Sequence, residues 1–319
     1  MKKIVLLVLG LLLNVSYVNA LTINSEGDYI TKKNVKISKT DYEKLNNYFD
    51  EKLIDNMRSE ILEGILNGDA KFKEEIKYSI TTDTIDSTGN IVNSKTINAT
   101  EEEAKLVANN KNIMVSSQGE LVDMTNQCAS TYAIHQNEHQ TSSKKVRLQY
   151  VDVDDGGNHL VAIDVTWYSE PLIKQYDVLA VRWNQSLPTS NITNYYAYQE
   201  AYDDEGDDID YQEYSIDGTN TKQTKYGIGQ SMNLFNNGVT YKLLMAFEVI
   251  QPIDGYIYGT YQHARHSSAN TLAISQAYSF SNNGLGNVLY YSNSTYRNYY
   301  DGMEGVKASL DDNYSFIVW

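Results

Sequence analysis

Two periods divide this chain. Between residues 38 and 66 apolar side chains recur at helical spacing, and beyond about 130 they recur at every second position. In the first stretch Tyr42, Leu45 and Phe49 share a face, and Thr40-Asp-Tyr-Glu43 has the form of a capping box. A break near Asp50 opens a second run, with Leu53, Ile54, Met57, Ile61 and Ile65 on one side and Asn67-Gly-Asp69 as its stop. Next, "YSITTDTIDSTGNIVNSKTI" predicts a hairpin turning at Ser87-Thr-Gly-Asn90. Thr100, with Glu103 three residues on, predicts the start of a short helix over "EEEAKLVA". Residues 21–125 therefore read as a small α/β unit of helices plus hairpin.

The second period predicts strands. One ends at Asp154 and the next begins at Leu160, with Asp155-Gly-Gly-Asn158 as the turn. Val161, Ile163, Val165 and Trp167 share a face, as do Leu179, Val181 and Trp183, and again Tyr241, Leu243, Met245, Phe247 and Val249. Further strands are predicted at 192–201, 256–265, 271–280, 286–292 and 313–319. Many strands, short polar turns and only three prolines predict a mainly β protein, with residues 130–319 an antiparallel β-sandwich or jelly roll.

Composition adds a compartment. Lys2 and Lys3 before the apolar run Ile4–Leu13, and Val18-Asn-Ala20 after it, read as a secretory signal peptide over 1–20, cleaved before Leu21. No cysteine follows the cleavage site to take a lipid anchor, and no later apolar run is long enough for a membrane-spanning helix. The net charge is −15, and loss of the two leader lysines takes it to −17. That balance repels phosphate backbones, so a nucleic-acid partner is not expected. The lone Cys128 excludes an internal disulfide, so an exported chain of this kind must rest on its core.

The segments "ISKTDYEKLNNYFDEKLIDNM" and "TTDTIDSTGNIV", with "YGTYQHARHSS" and "AYSFSNNGLGNVLYYSNSTYRNYYDGMEGV" near the end, resemble uncharacterised secreted proteins of low-GC Gram-positive bacteria. That resemblance implies export and a β-rich body. The group carries no assigned activity, so it implies no catalytic residue.

Several motifs invite chemistry. His135-Gln-Asn-Glu138-His139 fits the H-x-x-E-H pattern of inverted zinc peptidases. On a helix its two imidazoles would rise ~6 Å apart on one face and converge on a metal. Here the flanks are polar and run into the strand "KVRLQYV"; extended, the pair stands ~13 Å apart, too far to share an ion. His263 and His266 in "HARH" face opposite sides of a strand, and His263 reads as part of a polar surface row beside Tyr261 and Arg265. In "DVDDGGN" a calcium loop fails, because its twelfth position is Ile163. No G-x-S-x-G elbow or phosphate-cradling glycine loop occurs, and Cys128 lacks a papain-type context.

Tyrosine is the compositional excess, 27 residues against 6 Phe and 3 Trp. The richest outward chemistry is predicted at 195–214. There Tyr195, Tyr196, Tyr198, Tyr202, Tyr211 and Tyr214 flank the acids Asp203, Asp204, Glu205, Asp207 and Asp208. Aromatic faces beside carboxylates suit a sugar or a protein surface, and weak calcium at 203–210 is the one cofactor the acids would allow. The expectation is a secreted, non-enzymatic protein that binds an extracellular protein or glycan. The alternatives are a secreted hydrolase and an antibacterial, toxin-like exoprotein.

Overall fold

Alternation along the long strands sorts their side chains onto two faces, and the sorting builds the molecule. The structure is a computed structural model that describes residues 22–88, 91–126, 138–153, 158–266, 278–280, 289–291, 300–301, 306–310 and 315–316. The predicted leader, Cys128, His135 and the 155–157 turn lie outside the described residues, as do most of 267–299.

The chain divides into two compact units, Met1–Asn56 and Met57–Trp319. The first holds short strands β1 (Thr22–Ile23), β2 (Tyr29–Ile30) and β3 (Lys36–Ile37), then helices α1 (Lys39–Leu45) and α2 (Glu51–Asn56). The cap of α1 is Ser38, whose hydroxyl accepts from Asp41 N, so the helix is capped two residues before Thr40 and by a simple N-cap in place of the expected capping box. Both residues offer the same hydroxyl, and the sequence did not separate them. Tyr42 stacks on Tyr29 with ring centroids 3.9 Å apart.

The second unit opens on α3 (Ser59–Asn67), which ends at Gly68 in the left-handed conformation. The single helical run expected over 53–65 is interrupted, because Arg58 is extended and places its backbone N 3.3 Å from Glu248 Oε1. Then follow β4 (Ala70–Ile85), β5 (Ile91–Ala99), α4 (Glu101–Asn109), β6 (Ile113–Val115), β7 (Leu121–Asp123), β8 (Glu138–Val153), β9 (His159–Trp167) and β10 (Tyr176–Trp183). The rest is β11 (Ile192–Tyr202), β12 (Asp208–Tyr214), β13 (Thr221–Thr224), β14 (Gly227–Asn233), β15 (Thr240–Val249), β16 (Tyr256–Gln262), β17 (Tyr278–Phe280), β18 (Leu289–Tyr291), β19 (Val306–Ser309) and β20 (Ser315–Phe316). Among the described residues, the expected strands after β10 are joined by four more, β12, β13, β14 and β19, which are short or rich in polar residues and so hide the alternation.

Two antiparallel sheets dominate. The larger runs β12-β11-β15-β9-β8-β4-β20 with β5 also on β4, and the smaller runs β13-β14-β10-β16-β19. The hairpin β4–β5 thus belongs to the same sheet as the strands after 138, and β4 pairs with β8 from Ala70↔Val153 to Ile85↔Glu138. The sheet therefore runs across the division expected near residues 125–130, because a 16-residue strand needs a partner of equal length and β8 supplies it.

Between the sheets, Leu148, Val161, Ile163, Val165, Leu243, Met245 and Phe247 meet Leu179, Val181, Trp183, Ile228, Met232 and Ile257 in one buried cluster. Burial of each such side chain contributes ~1.5–3 kcal/mol, so this layer carries the fold. On the smaller sheet's other face, Val178, Ala180 and Tyr258 pack with Tyr278 and Leu289 of the β17–β18 hairpin. On the larger sheet, Ile80 packs with Val107 of α4 and with Ile113 and Val115 of β6.

Candidate functional site

The predicted tyrosine–acid segment folds into the hairpin β11–β12 at one edge of the larger sheet. The expected acidic loop of 202–210 is shorter than its composition suggests, since Asp208 and Asp210 already sit in β12. Asp203 closes the turn on itself: its Oδ1 accepts from Glu205 N at 3.0 Å and from Asp207 N at 2.8 Å. Asp204, Glu205, Asp207 and Asp208 are exposed. Among the described residues no group of three His, Cys, Asp or Glu side chains is placed to hold a metal ion.

The tyrosines do not form one open face. A bulge between Thr193 and Tyr196, with Asn194 at φ 43°, turns Tyr195 toward the sandwich, where its hydroxyl donates to Gln230 Oε1 at 2.6 Å. From Tyr196 on, alternation puts Tyr196, Tyr198, Glu200 and Tyr202 on the other face, while Ala197 and Ala201 enter the core. Tyr211 and Glu213 of β12 lie opposite Glu200 and Tyr198. The rings of Tyr196 and Tyr198 are 5.5 Å apart and those of Tyr198 and Tyr211 5.8 Å apart.

Their hydroxyls are engaged. Tyr211 donates to Glu213 Oε1 at 2.6 Å, the Tyr196 and Tyr211 hydroxyls lie 3.0 Å apart, and Tyr202 donates to Glu200 Oε2 at 2.6 Å. Burial, reinforced by the Glu213 and Tyr196 contacts, pushes the Tyr211 phenol far above its ordinary value. Tyr198 is 1% exposed, so of the predicted aromatic set only Tyr202 and Tyr211 are partly open beside the acids.

A groove of about 410 Å³ lies between the β4–β5 ladder and the β6–β7 hairpin, a size at which ligand pockets begin. Thr82, Thr84, Lys95, Met114, Glu120 and His139 are among its lining. His139 is strand, as expected, with Nδ1 3.2 Å from Thr84 Oγ1.

Nothing local in the sequence marks the third feature. Six side chains from both sheets, Lys144, Trp167, Asp177, Tyr261, His263 and Asp301, meet in a buried polar cluster. Asp177 accepts from the Tyr261 hydroxyl, from Ala264 N at 2.8 Å and lies 2.9 Å from His263 Nδ1. Asp301 Oδ1 accepts from His263 N at 2.9 Å, and Asp301 Oδ2 is in direct contact with Lys144 Nζ. Trp167 Nε1 donates to the Tyr261 hydroxyl at 2.8 Å, and its ring lies 4.7 Å from Lys144 Nζ. Burial, and then the Asp177 charge, hold the Tyr261 phenol well above its ordinary value.

His263 is thus buried, not part of the polar surface row expected of "HARH". The only sequence hint was the adjacency of Tyr261 and His263, since nothing local marks Lys144, Asp177 or Asp301. With the His263 side chain 8% exposed and the Asp177 side chain at 0%, the cluster is closed to an outside substrate.

No protein-family model matches the chain, and no curated protein matches it. Among solved structures it is similar to the C-terminal domain of the Streptococcus agalactiae AgI/II polypeptide BspA, at 9% identity over 76% of this chain and 93% of that one, TM-score 0.20. It is similar to the C-terminal domain of the Streptococcus pyogenes antigen I/II-family protein AspA, at 8% identity over 76% and 93%, TM-score 0.18. A third is the enzymatically active domain of bacteriophage CBA120 tailspike protein 4, at 12% identity and TM-score 0.20, over 38% of this chain but only 15% of the tailspike's length. Likeness this slight carries no functional assignment. Among the described residues no helix is long and apolar enough to cross a membrane.

Proposed function

We propose that this is an extracellular binding protein without turnover of its own, and that it meets a basic protein surface or a glycan through the β11–β12 hairpin. One observation carries the reading. Residues 183–221 hold nine acids and no Lys, Arg or His, and β12 with its turn presents most of them at a sheet edge beside Tyr202 and Tyr211. Such a strip attracts cations or hydrogen-bonds hydroxyls while the rings offer apolar contact. The hydrolase alternative gains nothing from the Asp177–His263 pair, which is closed to substrate.

The experiment replaces 203–208 by a Gly/Ser linker and compares both proteins on a glycan array and on immobilised basic extracellular proteins. The replaced protein should keep its fold and lose the wild-type signals, and for a basic partner those signals should weaken as salt rises. Undiminished signals from the folded replaced protein would move the site to the groove lined by Thr82, Lys95 and His139, whose volume makes it the second reading.

A further inference from the structure

We propose that Lys144 and Asp301 condense into an intramolecular isopeptide bond that ties β8 of the larger sheet to the chain between β16 and β19 of the smaller one. Lys144 lies on β8, and Asp301 follows Tyr300, which bridges to Ala264 just beyond β16. The two residues are 157 positions apart, yet Nζ and Oδ2 touch, with side chains 1% and 4% exposed.

Attack requires a neutral amine, and the Asp301 carboxylate in contact with Nζ is the group placed to take its proton. That transfer leaves a neutral amine, the nucleophilic form, beside a protonated carboxyl. The step then balances without any co-reactant. Nζ attacks Cγ, the Cγ–Oδ2 bond breaks, and ammonium plus carboxylate become an amide plus one water. Contact in a fixed geometry replaces a bimolecular encounter. The backbone N–H of His263 already holds Oδ1, the oxygen that stays as the amide carbonyl and that carries negative charge as Nζ adds. Asp177 is a positioning residue: through His263 Nδ1 and Ala264 N it fixes the segment that presents that N–H. The rings of Trp167 and Tyr261 flank Lys144 Nζ at 4.7 and 5.5 Å, which keeps bulk water from the amine.

A covalent link between distant residues restricts the unfolded chain as a disulfide does, and a chain with one cysteine has no internal disulfide to do this.

The test is a peptide map of the purified, full-length wild-type protein by tandem mass spectrometry. The expected result is a branched peptide joining the Lys144 segment to the Asp301 segment, lighter than the two linear peptides together by one water. The Lys144→Arg protein, which keeps a cation opposite Asp301 but lacks the amine, should give only linear peptides. Linear Lys144 and Asp301 peptides at full mass from folded wild-type protein would overturn the proposal and leave a plain ion pair. The wild-type map decides by itself should Lys144→Arg fail to fold.

Discussion

The indole of Trp167 on β9 donates to the Tyr261 hydroxyl on β16 at 2.8 Å, a hydrogen bond that crosses the core from one sheet to the other. The same hydroxyl donates to Asp177. Tyr261→Phe keeps the ring but leaves the indole N–H without its acceptor and removes a donor from a carboxylate with no exposed surface. The expected loss is about 1–3 kcal/mol, the cost of a buried polar group left unpaired. Urea unfolding of the two proteins side by side reads it, and equal midpoints would show that water replaces the hydroxyl.

Gly227, at the start of β14, leaves no room for a side chain. A Cβ there would stand 2.6 Å from Val181 O and 2.5 Å from Phe280 Cδ1. The ring can turn, but the carbonyl belongs to the centre of β10 and cannot yield without disturbing its ladder. Gly227→Ala is expected to destabilise by about 1–3 kcal/mol through overpacking. Thermal melts check this, and an unchanged melting temperature would contradict the close approach of Gly227 to Val181.

His159 makes stability depend on acid. Its ring is stacked on Tyr150 with centroids 6.0 Å apart, and Nδ1 lies 2.8 Å from Asp152 Oδ1 without the alignment of a hydrogen bond. Burial lowers its basicity below the ordinary value of 6.5, against the opposing pull of Asp152. The unfolded chain therefore binds this proton more readily than the folded one. The contribution is present above about pH 6.5 and is lost as pH falls from there toward the folded value. His159→Phe, which preserves the stack, should flatten that part of the curve. Parallel curves for the two proteins in urea titrations across this range would refute the assignment.

The capping box on α4 is reciprocal: Thr100 Oγ1 accepts from Glu103 N at 3.2 Å, and Glu103 Oε2 accepts from Thr100 N at 2.8 Å. Thr100→Ala should cost about 1 kcal/mol. Because Val107 of this helix packs on Ile80 of β4, hydrogen exchange should quicken in α4 and in the β4 residues beneath it. Faster exchange confined to α4 would mean that the helix does not support the sheet.

Sequence alone determined the local and periodic features of this protein. Alternation at 161–167, 179–183 and 241–249 named the inward residues of three core strands, because a strand's period of two is fixed by its backbone. The Thr100–Glu103 cap and the pairing of β4 with β5 as a hairpin were equally local. Only the tertiary structure decided which strands pair. It drew β4 out of an expected N-terminal unit and onto β8, and it turned Tyr195 inward at a bulge that no residue type announces. It also brought Lys144, Asp177, His263 and Asp301 together. Separations of 157 and 86 residues leave no trace in local composition, since a buried charge is tolerated only through partners that the folded chain supplies.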